Sequence, residues 1–465
     1  MNKEFTKLIP SDAIKLIDIL NKNGYEAYLV GGCVRDMLMG AVPHDWDMCT
    51  NATPEEIKNT MRISNVHTFD SGIKHGTITA VINKENYEIT TYRSEAGYSD
   101  GRHPDKVDFV TDIHEDLKRR DLTINALAYN PVSDELIDDY FGQCDLNTRT
   151  IKCVGNAHDR FMEDSLRILR ALRFAIKYQW RIDDDTAKAM HELKDELNKI
   201  SKERITQELE KMLTCGKPIR QYFMEFFDII GVIIPEIKPC IGFDQNNKYH
   251  SHNVYEHILY VVDYCDTNDF TIKLAALLHD IGKPSTYVTD NEGHGHFYGH
   301  PKVSKDITEE VLRNDLRCSS EQMDSVLTLV EFHDMDIAPT KASTKRALNK
   351  LGEAEMRKWF ILKKADYDDH VALGKMVTFS DNLEKIKVLF EDIIQCQECF
   401  KITDLAINGD YLIRELGLKP GKKIGYILNG LLDKVINDES AENSVEALDI
   451  AARELSIKYD SLESI

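Results

Sequence analysis

Strand and helix signals are divided unequally along this chain. Short β-rich runs alternate with helical segments over residues 1–150, whereas from about residue 155 to 460 helical periodicity replaces the strand signal. Residues 26–32 predict a strand that runs into a glycine turn. Residues 76–82 and 87–93 predict the two arms of a β-hairpin. The chain is therefore expected to be α+β, with a mixed N-terminal sheet followed by helical domains.

The length of 465 residues exceeds that of one ordinary domain. Changes in the strand, helix and turn signals and in histidine content divide it into four predicted domains, at 1–150, 151–240, 241–375 and 376–465. No apolar run is long enough to span a membrane, and the first residues lack the layout of a signal peptide. The ten cysteines have no disulfide-like spacing. These features predict a cytoplasmic protein without membrane segments, and leave a monomer and a homodimer both open.

The formal net charge is −21, from 79 acidic and 58 basic residues. This total argues against a nucleic acid partner, because phosphate contacts depend on lysine and arginine. Basic residues are nevertheless concentrated in three segments, Lys118–Arg120, Arg160–Arg173 and Lys419–Lys423. A local basic surface is therefore compatible with the acidic total.

The first chemical motif is a pair of glycines, Gly31 and Gly32, followed by Asp45-Trp46-Asp47. Glycines after a strand let backbone amides approach a phosphate. Residues two apart on a strand face the same side, so Asp45 and Asp47 are predicted to hold one or two Mg²⁺ ions. The alternative is an exposed acidic strand end.

Together these stretches resemble the palm of the DNA-polymerase-β-like nucleotidyltransferases, in which a glycine element precedes an Asp-x-Asp metal pair. The resemblance implies a catalytic set of Asp45, Asp47 and, from a later strand, Glu88. The alternative for Glu88 is an ordinary half-exposed strand residue.

Two further stretches narrow the resemblance. Residues 115–126 (EDLKRRDLTINA) and 160–174 (RFMEDSLRILRALRF) are similar to motifs of bacterial-type, class II CCA-adding enzymes and poly(A) polymerases. That family implies a palm, a nucleotide-selecting neck and template-independent RNA extension. It also implies a nucleotide-binding set: Gly31, Gly32, Arg35, Arg120, Asp121, Asn125, Glu163, Asp164, Arg167, Arg170 and Arg173.

Asp164 and Arg167 are three residues apart, and the leucine spacing predicts that one helix carries both. A carboxylate and a guanidinium can pair with the Watson–Crick edges of cytosine and adenine, which is the role the family implies. The alternative is a salt-bridged solvent face. In the chemical interpretation, Arg120 contacts the triphosphate and Asp121 accepts from a ribose hydroxyl. The resemblance also implies a flexible loop at Tyr98–Pro104.

The run LAALLHDIGKP, residues 274–284, resembles the HD phosphohydrolase family. Imidazole and carboxylate groups suit Mn, Ni, Fe, Zn or Mg. His294 and His296, with His300, are candidates for a second metal. The resemblance implies a metal-dependent phosphodiesterase or phosphatase. The alternative is a metal that only stabilises the fold. The predicted ligands are His257, His279, Asp280, His300, His333 and Asp334.

Residues 404–410 and 417–425 resemble the C-terminal part of CCA-adding enzymes, which implies contact with the acceptor–TΨC arm of tRNA. The expected reaction is attack of an RNA 3′-hydroxyl on the α-phosphate of CTP or ATP, with release of pyrophosphate, to add C, C and A. Two alternatives remain open at this point. One is a poly(A) polymerase, and the other is chiefly an HD phosphohydrolase acting on RNA ends.

Overall fold

The computed structural model describes residues 6–73, 76–96, 106–246, 252–372, 378–438 and 440–463. The chain forms two compact units: residues 1–238 with 313–317, and residues 239–312 with 318–465. The four domains expected from the sequence are a finer division and stay a prediction. None of the described helices combines the length and apolar character needed to cross a membrane.

The strands of the first unit lie mostly before residue 140. They are β1 (Ala27–Val30), β2 (Met48–Thr50), β3 (His67–Gly72), β4 (Thr77–Ile82), β5 (Glu85–Thr91), β6 (Arg93–Ala96), β7 (Lys106–Phe109), β8 (Ala128–Asn130), β9 (Glu135–Ile137), β10 (Thr150–Ile151) and β11 (Arg181–Ile182). Seven of them form one sheet in the order β3-β4-β5-β2-β1-β8-β9. Only β2 and β5 pair in parallel within it, so the sheet is mixed, as predicted.

The helices of the first unit follow a similar order. They are α1 (Ser11–Lys22), α2 (Gly32–Leu38), α3 (Pro54–Ile63), α4 (Ile113–Lys118), α5 (Gly142–Thr148), α6 (Ala157–Glu163), α7 (Leu166–Tyr178), α8 (Asp184–Leu193), α9 (Lys202–Leu213), α10 (Arg220–Glu225) and α11 (Phe227–Ile233). Apolar residues of α1 and α3 pack with Leu29 and Ile89 in one core. Tyr28 and Val30 alternate with Leu29 and join a second core that includes Leu117 of α4.

In the second unit, the described regular elements are helices apart from the short hairpin β12 (Val288–Thr289) and β13 (Gly295–His296). Its helices are α12 (Val254–Tyr264), α13 (Phe270–Leu278), α14 (Lys283–Thr286), α15 (His300–Asn314), α16 (Ser320–Phe332), α17 (Lys341–Leu351), α18 (Glu353–Ala372), α19 (Thr378–Gln395), α20 (Gly409–Leu416), α21 (Lys422–Asn437) and α22 (Val445–Glu463). Residues of α20, α21 and α22 share a separate apolar core.

The predicted hairpin is confirmed by the antiparallel pairing of β4 and β5, with Ile82 opposite Glu85. Its turn is tighter than expected, because only Asn83 and Lys84 connect the strands. Both have positive φ, at 53° and 72°. Such left-handed pairs suit two-residue hairpins, since their twist matches that of the strands.

Two predictions of secondary structure were wrong in detail. Asp45 and Asp47 lie just before a strand rather than on it, since β2 begins at Met48. Strand pairing also continues past residue 155, because β11 pairs in parallel with β10, and β12 pairs with β13. These strands have two residues each, too few for a period to be detected in the sequence.

Candidate functional site

Asp47 has two acidic neighbours, Glu88 and Asp45, beside the central strands of the sheet. Asp47 precedes β2, Glu88 lies in β5, and Met48 is opposite Ile89 in the parallel pair. Burial raises the pKa of Asp47, and the negative charges of Glu88 and Asp45 raise it further. The positive charge of Arg120 partly offsets this rise. Among the described residues, no side chain forms an ion pair with these three carboxylates. Neighbouring carboxylates without an ion-paired side chain fit a divalent cation.

Gly31 follows β1 with φ of +75° and donates its N–H to the Leu127 carbonyl at 3.0 Å. A Cβ at this position would lie 3.0 Å from Nη1 of Arg120. The absence of a side chain therefore lets the guanidinium lie against the turn, and the positive φ is one that glycine adopts without strain. Gly32 follows as the first residue of α2. The sequence anticipated this turn but not its contact with Arg120.

Asp121 links two of the predicted nucleotide-binding arginines. Its Oδ2 accepts from Arg170 Nε at 2.8 Å, and its Oδ1 accepts from Asn125 Nδ2 at 3.2 Å. Arg35 Nη1 in turn donates to Asn125 Oδ1 at 2.6 Å. Burial opposes ionisation of Asp121, yet the Arg170 guanidinium holds its pKa well below the usual range. The carboxylate thus orients Arg170, and its predicted contact with a ribose stays a prediction.

A buried carboxylate that the sequence interpretation did not assign, Asp116, holds two other arginines. Its oxygens lie 2.8 Å from Arg119 Nη2 and 3.0 Å from Arg120 Nη2. Its side chain is 1% exposed, so the pair is shielded from water. The spacings of three and four residues were the available signal, because they place neighbours on a helical turn.

Replacing Asp116 with alanine is expected to lower the free energy of unfolding by about 3 kcal/mol, because two guanidiniums lose a buried partner. Nucleotide incorporation should fall as well, since Arg120 lies against Gly31. Calorimetry and primer extension measure the two effects. Glu115→Ala, at a neighbouring residue whose side chain is 50% exposed, is the matched control. Equal stability of the two variants would contradict this role for Asp116.

Asp164 and Arg167, the predicted base-selecting residues, are not carried by one helix, so this prediction of secondary structure was wrong. Helix α6 ends at Glu163, α7 begins at Leu166, and Asp164 between them has φ of −142° and ψ of 101°. The Asp164 carboxylate accepts from the Leu166 N–H at 3.1 Å and so caps the second helix. It also accepts two hydrogen bonds from Arg204 of α9, one from Nη2 at 2.8 Å and one from Nη1 at 3.3 Å.

Arg167 is held independently of Asp164. Its Nη1 donates to Glu163 Oε2 at 2.8 Å, and its Nη2 donates to the Arg119 carbonyl at 3.0 Å. Glu163 also pairs with Arg160. The predicted carboxylate and guanidinium are therefore each fixed by other partners, and neither neutralises the other directly.

Phe174 of α7 lies beneath several guanidiniums. The Cζ atoms of Arg173, Arg35 and Arg170 lie 4.2, 5.3 and 5.9 Å from its ring centroid. Arg173 Nε also donates to Glu208 of α9 at 2.5 Å. These cation–π contacts add to the salt bridges that the three arginines form with acidic side chains. The predicted loop at Tyr98–Pro104 lies outside the described residues.

A second cluster, in the second unit, surrounds Asp280. Its Oδ2 lies 3.3 Å from His257 Nε2 and 3.2 Å from His279 Nε2. Its Oδ1 lies 3.3 Å from His300 Nε2 and 3.6 Å from His333 Nε2. The five predicted ligands thus form two overlapping groups that share one carboxylate.

The orientation of the imidazoles suits metal binding. In three of the histidines Nδ1 donates to a backbone carbonyl three residues earlier, which leaves Nε2 directed at the cluster. These bonds are His279 to Ala276 at 2.8 Å, His300 to Phe297 at 2.9 Å and His333 to Val330 at 2.7 Å. Both oxygens of Asp280 are buried and lack a hydrogen bond of good geometry. Closely packed imidazole nitrogens around such a carboxylate fit one or two divalent transition metals.

The sixth predicted ligand, Asp334, borders the same cavity as Asp280 but is not grouped with the candidate ligand atoms. Its Oδ1 is 3.6 Å from Lys363 Nζ, and its side chain is 59% exposed. Asp366 of α18 instead places Oδ1 3.3 Å from His257 Nε2. The sequence interpretation missed Asp366, because a single aspartate 86 positions after Asp280 carries no local spacing that marks it.

His294 and His296 do not join the cluster around Asp280. They lie near Asp290 of the β12–β13 connection, with His296 Nε2 at 3.0 Å and His294 Nδ1 at 3.5 Å from Asp290 Oδ2. The second group of candidate ligands takes its imidazoles from His300 and His333 instead.

Three family models match successive segments of the chain. The Poly A polymerase head domain matches residues 27–152, the probable RNA and SrmB binding site of polymerase A matches 180–241, and the HD domain matches 248–369. The CCA-adding enzyme of Lactobacillus helveticus is 32% identical over 448 residues, covering 94% of this chain and 95% of the relative.

Two further relatives differ in coverage. The CCA-adding enzyme of Lactobacillus delbrueckii subsp. bulgaricus is 48% identical over 216 residues, so the match spans 46% of this chain and about half, 53%, of the relative. The crystal structure of the Bacillus stearothermophilus CCA-adding enzyme in complex with CTP has a TM-score of 0.68 and 25% identity, covering 100% of both chains.

These matches define a chain that combines a Poly A polymerase head domain with an HD domain. The relative from Lactobacillus helveticus exceeds 30% identity and is covered almost completely. The chain therefore belongs to the family of CCA-adding enzymes. The resemblance drawn from the sequence motifs is therefore confirmed.

Proposed function

We propose that this protein adds C, C and A to the 3′ end of tRNA, using CTP and ATP. The observation that carries the proposal is the electrostatic neighbourhood of Asp47, which includes the carboxylates of Glu88 and Asp45 and the guanidinium of Arg120, itself held by Asp116. In this reaction the tRNA 3′-oxygen bonds to the α-phosphorus as the bond to pyrophosphate breaks. The 3′-hydroxyl proton is lost, and pyrophosphate leaves.

The three carboxylates would hold Mg²⁺, which when bound supplies charge neutralisation for the triphosphate. Gly31 and Gly32 leave room for phosphate at the turn. Arg35, Arg120, Arg170 and Arg173 supply positive charge beside it, and their buried or half-buried anionic partners keep them oriented before substrate arrives.

Asp164 and Arg167 are the proposed base-selecting pair. The separate anchors of the two side chains support this role, because Arg204 holds the acceptor and Glu163 holds the donor. Cytosine and adenine each present an exocyclic amine beside a ring nitrogen acceptor. A fixed acceptor beside a fixed donor matches that pattern, and mismatches uracil and guanine.

The proposed tRNA contact includes the C-terminal helices. Gly417 ends α20 in the left-handed conformation, and Lys422 begins α21 after the turn at 419–421. Lysines at this turn would meet phosphates of the acceptor–TΨC arm. The acidic total charge limits such contacts to local surfaces.

The proposal is tested with a tRNA lacking CCA, incubated with CTP alone, ATP alone or both. CCA addition predicts two additions with CTP alone and three with both nucleotides. Long adenosine tails with ATP alone would identify a poly(A) polymerase instead. No incorporation, with phosphate release from RNA ends, would identify a protein that is chiefly an HD phosphohydrolase.

The cluster around Asp280 supports a second activity, hydrolysis of a phosphoester. The ligand set we propose is His257, His279, Asp280, His300 and His333, with Asp366 rather than Asp334 as sixth member. In hydrolysis, a water oxygen bonds to phosphorus while the ester P–O bond breaks and the leaving oxygen takes a proton. The residues do not choose among Mn, Ni, Fe, Zn and Mg.

The double change His279→Ala and Asp280→Ala is expected to remove bound transition metal and any phosphoesterase activity, while CTP and ATP addition continue. Elemental analysis and a phosphatase assay measure the losses. Asp366→Ala should also lower metal content, whereas Asp334→Ala, at the exposed neighbour of His333, serves as the matched control. A metal-free unmutated protein, after growth with added metal, would contradict the metal site.

A further inference from the structure

A lysine near the end of α7 has no role in the activities described so far. Lys177 is exposed, and no acidic side chain in the described parts of the chain forms an ion pair with it. The neighbouring arginines of the proposed phosphate site differ in this respect. Each pairs with one acidic side chain: Arg35 with Asp36, Arg170 with Asp121 and Arg173 with Glu208. The positive charge of Lys177 is therefore available to a ligand.

Lys177 is the last of four basic residues along one side of α7. Arg167, Arg170, Arg173 and Lys177 follow one another at spacings of three or four residues, which places them on one helical face. At about 1.5 Å per residue, Lys177 lies about 15 Å along the axis from Arg167. Arg167 is the proposed base reader, and Arg170 contacts Asp121, the predicted ribose acceptor. Arg173 belongs to the proposed triphosphate set. The order along the helix is thus base, sugar and phosphate, and Lys177 comes next.

A second element reaches this end of α7. The Cζ atom of Arg35 lies 5.3 Å from the ring centroid of Phe174 and 5.5 Å from that of Tyr178. Lys177 Nζ lies 5.3 Å from the same Tyr178 centroid. Arg35 belongs to α2, which begins at Gly32 of the glycine turn. One aromatic ring therefore contacts both the free lysine and the arginine that follows the glycine turn.

The charges around Lys177 favour an anionic ligand. Partial burial of the ammonium group lowers the pKa of Lys177, and the positive charges of Arg35 and Arg173 lower it further. The carboxylate of Asp36 offsets part of this effect. A bound phosphate would relieve the repulsion among the three cations. Lysine suits a terminal phosphate, because its ammonium group acts as a point charge with three rotatable donors.

We propose that Lys177 binds the γ-phosphate of CTP or ATP and so makes the site prefer nucleoside triphosphates to diphosphates. This rests on the proposed nucleotide addition. A charge-assisted hydrogen bond to phosphate contributes about tenfold in affinity. A nucleoside diphosphate ends one phosphate earlier and would gain nothing from the lysine.

Inhibition of the extension of a tRNA lacking CCA tests this contact in the full-length protein. The two inhibitors are CDP and the α,β-methylene analogue of CTP, which cannot release pyrophosphate. Lys177→Ala is expected to raise the inhibition constant of the triphosphate analogue about tenfold and to leave that of CDP unchanged. Lys177→Arg should retain most of the difference, because the charge remains. Lys188→Ala, at an exposed lysine of α8, is the matched control.

An equal rise for both inhibitors in Lys177→Ala, or no rise for either, overturns the γ-phosphate contact. A higher KM for tRNA with both inhibition constants unchanged also overturns it, and would indicate that Lys177 contacts an RNA phosphate. Extension by the unmutated protein tests the proposed function separately. If that protein is inactive, equilibrium dialysis of the same two nucleotides against the same variants decides the contact.

Discussion

Asp47→Ala is expected to reduce nucleotide incorporation to background, by a factor of about 10³ or more, while the fold remains intact. The pKa of Asp47 is raised by burial and by the negative charges of two neighbouring carboxylates. Those charges are tolerable in the active protein only with a cation between them, and the triphosphate needs the same cation. Asp45→Ala should have an equivalent effect, because Asp45 is the other member of the predicted metal pair and its charge acts on Asp47.

Single-nucleotide extension of a tRNA lacking CCA, together with circular dichroism, measures this effect. Asp159→Ala is the matched control, because Asp159 is an exposed aspartate in the first turn of α6. It should extend tRNA normally. Near-normal incorporation by a folded Asp47→Ala or Asp45→Ala variant would mean that the carboxylate cluster is not catalytic. Glu88→Ala tests the third carboxylate. A comparable loss of incorporation indicates a metal ligand, and normal incorporation indicates an ordinary strand residue.

The second large effect is on the choice of base. Asp164→Ala and Arg167→Ala are each expected to lower the preference for CTP and ATP over UTP and GTP by about 100-fold or more. A site built to hydrogen-bond a base edge discriminates because the wrong partner leaves polar groups unpaired. Removing one of the two groups removes that penalty. Metal binding should be unaffected, since the carboxylate cluster is unchanged.

The structure extends this expectation to Arg204, which touches Asp164 and acts as a positioning residue. Arg204→Ala should relax selectivity in the same direction but by less, because Asp164 keeps its charge and its bond to the Leu166 N–H. Extension with each of the four triphosphates measures both effects. Arg62→Ala, at an exposed arginine of α3, is the control. Unchanged selectivity in Asp164→Ala and Arg167→Ala would place base reading elsewhere in the protein.

Features encoded within a few residues could be predicted from the sequence. The strand that ends at Gly31 and the β4–β5 hairpin depend on side-chain alternation and on turn residues, which are local. The adjacency of His279 and Asp280 is likewise local, and it was sufficient to indicate the metal cluster. The order of the motifs was sufficient to indicate the family.

The break between α6 and α7 could not be predicted from the local sequence. The segment from Glu163 onward has leucines and arginines at helical spacing, so its local preference is one continuous helix. The break depends on Asp164, which caps the following helix and pairs with Arg204 of α9. That partner is 40 residues away, and no helical period connects the two positions.

The sequence by itself determined the α+β class, the family, and most of the residue types that the two sites require, because these follow from spacing within single elements. Only the tertiary structure decided which charges meet. Asp366 replaces Asp334 beside His257, and Asp116 orients Arg120 at the glycine turn. Such pairings depend on how distant elements pack, and contact energies between them leave no periodic signal in the sequence.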